Sequence, residues 1–79
     1  MVRLKNIKKS SSVIECDFIP EDSLQSGHIV VDVISDEIKE CIYPDGYEWC
    51  KNHVIHAKNK LIELSTKDSI PDEKLVMWH

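Results

Sequence analysis

Apolar and polar positions alternate at two places in the first twenty residues: Val2 and Leu4, then Ile14, Cys16 and Phe18. A period of two is the mark of strands with one buried face. The polar run Lys8-Lys9-Ser10-Ser11-Ser12 between them has the size of a hairpin loop, so an antiparallel pair is expected. Pairing positions whose numbers sum to twenty sets Leu4 opposite Cys16 and Val2 opposite Phe18 on one face. On the other face the same register sets Lys5 opposite Glu15 and Arg3 opposite Asp17. Each opposite-charge pair contributes about 0.2 to 1 kcal/mol, and a slip of one residue would lose them while exposing the apolar face.

Residues 20–27 read as a loop, and 28–34 as a central strand, β-branched on both parities. A short turn at Ser35-Asp36-Glu37 leads to a fourth alternating segment over 38–43. The strongest periodicity follows: Tyr47, Cys50, Val54, Ala57, Leu61 and Leu64 recur at intervals of three and four and form one stripe of an amphipathic helix. Asp45 and Glu48 have the spacing of a capping box, with Pro44 and Trp49 at the positions of a hydrophobic staple. The helix is therefore expected over 46–66, roughly 30 Å long. Ser69-Ile70-Pro71-Asp72 breaks the chain, and Leu75-Val76-Met77-Trp78 has strand composition. The expected fold is α+β in the order ββββαβ: a four-stranded antiparallel meander, one long helix on one sheet face, and a C-terminal edge strand, all in a single domain over 1–79. The expected core is Leu4, Ile14, Cys16, Phe18, Ile29, Val31, Val33, Tyr47, Cys50, Val54, Ala57, Leu61 and Leu64, with a wet outer face carrying Arg3, Lys5, Glu15 and Asp17.

Composition narrows the function classes. The 79 residues carry ten Lys plus Arg and fourteen Asp plus Glu, a formal net charge of -4 that opposes nonspecific binding to nucleic acid. Charge is also segregated, with Arg3, Lys5, Lys8 and Lys9 at the start and Lys39 alone among the acids of residues 15–48, so the two blocks are expected to face each other. No apolar run approaches the ~20 residues of a membrane-spanning helix, and the N-terminus lacks the apolar segment of a secretory signal. Cys16, Cys41 and Cys50 are an odd number at spacings that fit no disulfide framework, which points to free thiols and a reducing, cytoplasmic setting. A chain this short buries only about 60% of its unfolded surface, so self-association would add needed stability.

Several side chains have candidate chemistry. Cys50, His53 and His56 are spaced by three on the helix, and the two histidines with a thiol could ligate Zn2+ or Cu2+. Cys50 belongs to the core stripe, however, and His56 points away from it, so the three converge poorly; no metal or cofactor is assigned. A Cys50 nucleophile with His53 as base lacks an oxyanion hole and an orienting carboxylate, so no catalytic residue is assigned and the protein is read as a non-enzyme. Asp32 and Glu40 would face each other across the third and fourth strands if 35–37 is the turn, but a different register or a solvated face on which the two carboxylates are merely neighbours is the favoured explanation. Lys51, Lys58, Lys60 and Lys67 are too scattered for a phosphate track, which leaves nucleic-acid binding as a third reading. Trp49, His53, His56 and Lys60 flank the core stripe on one side, and Ile55 with Ile62 on the other. Aromatic and apolar groups there suit an interface, so the expected function is a small interaction module that binds a protein partner or a second copy of itself. Metal binding through the helix His and Cys residues is the alternative. His79 is given no role.

Overall fold

The computed structural model describes residues 1–20 and 23–77. Five strands and one helix follow in the order β1 (Val2–Ser10), β2 (Val13–Pro20), β3 (Gly27–Asp32), β4 (Glu37–Ile42), α1 (Lys51–Ser65) and β5 (Lys74–Val76). They form one antiparallel sheet ordered β4-β3-β2-β1-β5, with the helix packed on one face: the α+β arrangement ββββαβ. β5 adds to the free side of β1 and pairs Val2 with Val76, so the last strand joins the sheet edge as expected. It begins one residue earlier than predicted, and Trp78 and His79 lie outside the described residues.

The register of the first hairpin differs from the expected one by two residues at Leu4. Leu4 faces Phe18, Val2 faces Pro20, Lys5 faces Asp17 and Arg3 faces Ile19. The turn is the reason. It takes only Ser11 and Ser12, with Ser11 in the left-handed region at φ 55°, instead of the five residues read as loop. Both strands are consequently longer, and Lys8 faces Glu15. A β-bulge then absorbs one residue of β1: Asn6, also left-handed at φ 55°, shares with Ile7 the space opposite Cys16. The bulge returns Ile7 to the buried face after Val2 and Leu4, so the even-numbered apolar pattern switches to odd without exposing the core. Because the shift is even, the predicted faces survive, and Arg3, Lys5, Glu15 and Asp17 occupy the outer face.

The second hairpin closes between Asp32 and Glu37. Asp32 Oδ1 accepts from the backbone N–H groups of Ile34 (2.9 Å) and Ser35 (3.2 Å), an Asx turn that ends β3 two residues before the predicted limit. A second bulge, at Lys39 on β4, lies between the Val30–Glu40 and Val31–Ile38 pairs. Asp32 and Glu40 are therefore not opposite each other; Asp32 faces Glu37 and Glu40 faces Val30. Val33 N–H donates to the Ser12 carbonyl (2.9 Å) and ties the two hairpin tips together.

The helix begins five residues later than predicted. Gly46, at φ +81°, turns the chain through a conformation that stops helical propagation. Two successive turns follow, closed by Tyr47 N–H to the Pro44 carbonyl and Cys50 N–H to the Tyr47 carbonyl. Cys50 is the N-cap without a side-chain capping bond, so the Asp45–Glu48 box does not form. The helix proper buries Val54, Ala57, Leu61 and Leu64 against the sheet, the predicted stripe, each larger side chain contributing about 1.5 to 3 kcal/mol. Val2, Leu4, Ile7, Ile14, Cys16, Phe18, Ile29, Val31 and Val76 supply the sheet side of this core, and Cys50 is buried too. Val33 is half-buried at its margin, and Tyr47 is half-buried beyond the helix start rather than on its stripe. Gly27 is required by packing, since a Cβ there would collide with the Ile42 carbonyl oxygen and lie 2.6 Å from Phe18 Cζ. The helix lies on β1, β2, β3 and β5, and among the described residues no helix covers the outer face of the sheet.

Candidate interaction surfaces

Trp49 stands just before the helix in the second of the two turns, with 68% of its surface exposed. It is nevertheless held. Its Nε1 donates to the Gly46 carbonyl at 3.1 Å, the Tyr47 ring lies 5.8 Å away at a 31° tilt, and the His53 ring meets it edge-on at 5.9 Å. The left-handed Gly46 thus orients its own carbonyl toward the indole, while the helix brings His53 one turn above. His53 and His56 are both half-buried, and Lys60 is paired with Glu63 at 3.1 Å.

The six predicted residues do not form one surface. Trp49 and His53 touch, with His56 and Lys60 continuing the same flank, but Ile55 and Ile62 lie across the helix. Ile55 is 49% exposed, whereas Ile62 is half-buried and packs against the core. Between these two isoleucines Lys58 reaches the Asp36 carbonyl at 3.4 Å, tying that flank to the tip of the β3–β4 hairpin.

The competing chemistries find little geometry. Among the described residues no three His, Cys, Asp or Glu side chains are grouped to hold a metal, because Cys50 turns into the core while the histidines flank it. Burial also pushes the Cys16 thiol up to about 12, helped by the neighbouring Asp17 and Glu15 charges. Burial raises Cys41 as well, partly offset by a hydrogen bond with Tyr43. Neither is a poised nucleophile. Lys58 and Lys60 each have a partner within the chain, the Asp36 carbonyl and Glu63.

The outer sheet face carries a polar group that strand patterning did not single out. Asp17 on β2 accepts from His28 Nδ1 on β3 (2.9 Å) through one oxygen and from Asn6 Nδ2 in the β1 bulge (2.9 Å) through the other. These bonds, that of His28 first, hold the Asp17 carboxyl below the usual range. The pairing of Asp17 with His28 depends on the β2–β3 register, which the connection between Pro20 and Gly27 hides from a reading of periodicity. A wide hollow beside the bulge, where β5 stops pairing with β1, is lined mostly by polar groups, among them Asn6, Lys8, Asp72 and Glu73.

The fold and these surfaces define an α+β protein with one sheet face packed and the other open. Comparison with protein-family models, curated proteins and solved structures finds no match for this chain.

Proposed function

We propose that the protein is a small non-enzymatic interaction module of the cytoplasm, which binds a protein partner through the flank centred on Trp49. One observation carries this reading: a large aromatic ring is exposed yet fixed, by a hydrogen bond to Gly46 and by contact with Tyr47 and His53. An indole immobilised before binding loses little conformational freedom on docking, and tryptophan is among the side chains enriched at the energetic centres of interfaces. His53, His56 and Lys60 supply a polar margin beside it. Cys16, Cys41 and Cys50, none of them in a disulfide among the described residues, suit a reducing compartment.

Site-specific photocrosslinking in cells tests the proposal. A crosslinking residue replacing Trp49 is expected to trap a discrete protein adduct, and the same residue replacing the fully exposed Leu24 is expected to trap none. Trp49→Ala is expected to weaken that complex by about 2 kcal/mol or more, roughly thirtyfold in Kd, with the circular dichroism spectrum unchanged. Equal labelling from both positions, or none from position 49, would remove the Trp49 flank as the interface.

A further inference from the structure

The turn that orients Trp49 carries a second chemistry of its own. Asp45-Gly46 is the one place in the sequence where an aspartate or asparagine precedes glycine. Tyr47 N–H donates to the Pro44 carbonyl at 3.0 Å, so Asp45 and Gly46 are the two central residues of a tight turn, with Gly46 at φ +81°. Both are exposed, and no heavy atom beyond the chain neighbours lies within 4 Å of where a Gly46 Cβ would stand. The two groups that could react are also unengaged. Among the described residues the Gly46 N–H donates to no acceptor, and the Asp45 carboxyl has no hydrogen bond or ion pair.

We infer that Asp45 is a site of spontaneous backbone isomerisation, where aspartate passes to isoaspartate and the hold on Trp49 is released. The Gly46 nitrogen attacks Asp45 Cγ, and the new N–Cγ bond closes a five-membered succinimide. The amide proton and the hydroxyl of the protonated carboxyl leave together as water. Water then opens the ring at either carbonyl. Attack at Cγ restores aspartate. Attack at the main-chain carbonyl carbon of Asp45 breaks its bond to the Gly46 nitrogen, so the chain runs on through the side-chain carbons and a free α-carboxylate is left. The composition is unchanged, and water is the only co-reactant.

Glycine assists in two ways: no Cβ shields its nitrogen, and its backbone is permissive enough for the ring to close. A single backbone hydrogen bond closes the turn, which lies in the exposed connection between β4 and the helix, so it opens without disturbing the sheet. Elsewhere these conditions fail. The carboxylates of Asp17 and Asp32 are committed to hydrogen bonds, and Phe18 and Val33 follow them. Asp68 is exposed, but the side chain of Ser69 crowds the nitrogen that would attack.

Isoaspartate adds one carbon to the main chain between Pro44 and Gly46. The ring closed by the Pro44 carbonyl and Tyr47 N–H grows by an atom, and the Gly46 carbonyl shifts away from Trp49 Nε1, which now donates to it at 3.1 Å. The indole loses the hydrogen bond that fixes it. The turn is thus a slow timer on the orientation of Trp49, and its chemistry does not rest on what docks at that flank.

Peptide mapping of the folded protein after several weeks at mildly acidic pH tests the inference. Electron-transfer fragmentation identifies isoaspartate by cleavage between its Cα and Cβ. Isoaspartate at position 45 is expected to exceed that at position 68 by at least about tenfold, since only Gly46 leaves its nitrogen unshielded. Asp45→Glu, which would have to close a six-membered ring, is expected to abolish it. The near-ultraviolet circular dichroism of the aged wild-type protein is expected to weaken in the indole region, while Asp45→Glu aged beside it keeps its spectrum. Isoaspartate no more abundant at position 45 than at position 68 would overturn the inference, as would its appearance only in urea. An isomerised protein with the indole spectrum of fresh protein would overturn the release of Trp49.

Discussion

Asp17 receives one hydrogen bond from the strand on each side, so folding favours its ionised form and its proton leaves at lower pH than in the unfolded chain. A carboxyl depressed in this way contributes stability that is fully present above its unfolded value near ~3.9 and is lost as pH falls through the folded value. Asp17→Asn is therefore expected to flatten the acid limb of the stability profile below about pH 4. The effect at neutral pH is limited to about 1 kcal/mol, because both partners are about one-third exposed and water screens them. Urea midpoints measured across the acid range check this, and an acid limb identical to that of the wild type would assign the sensitivity to other carboxyls. The same residue shows what a sequence discloses and what it conceals. That Asp17 stands on a wet face follows from its place between Cys16 and Phe18, but its partners follow from a left-handed Asn6 and from a loop whose length does not determine the β2–β3 pairing. Asparagine tolerates the left-handed region better than most residues, yet nothing around Asn6 requires it to adopt that region.

At the scale of the element, the helix begins poorly. Its first residue, Lys51, puts a cation where the helix dipole favours an anion, the first turn holds no acid, and Cys50 provides no side-chain cap. Lys51→Glu is expected to stabilise the fold by about 0.3 to 1 kcal/mol, with Lys51→Ala giving part of that gain; urea denaturation at low salt measures both. A destabilised Lys51→Glu protein would mean that the lysine has a partner outweighing the dipole. The buried stripe from Val54 to Leu64 was legible because a period of 3.6 persists over three turns and few other structures produce it. The start was not legible. Asp45 and Glu48 satisfy the spacing of a capping box whether or not the chain between them is helical, and the backbone of Gly46 decides that it is not. The hairpins divide in the same way: which residues face the core was readable from alternation, whereas register followed from a two-residue turn and from bulges at Asn6 and Lys39 that leave no periodic trace. For the surface, the neighbourhood of Trp49 and His53 could be read from their spacing of four, but that Ile62 packs against the core while Ile55 is exposed depends on the placement of the helix on the sheet.

Over the whole molecule, burial grades the thiols. Cys16 lies on the central strand with its thiol at about 12, while Cys41 is half-buried on the edge strand β4. Alkylation at mildly alkaline pH is expected to modify Cys41 at least about a hundredfold faster than Cys16. Cys16 should react at a rate that rises with urea as global unfolding does, because only full opening exposes it. Mass spectrometry of the labelled peptides follows both, and equal rates would show that the sheet centre opens as readily as its edge. The placement of β5 adds a temporal constraint. Its short strand gives the far side of β1 a hydrogen-bonded neighbour, with Val76 beside Val2 and the Asp72 carbonyl accepting from Ile7. During synthesis β1 to β4 are made before β5, so β1 keeps an open edge until residues 74–76 emerge. The nascent chain therefore passes through an interval in which its first strand can pair with the wrong neighbour, and the arrival of β5 ends that exposure.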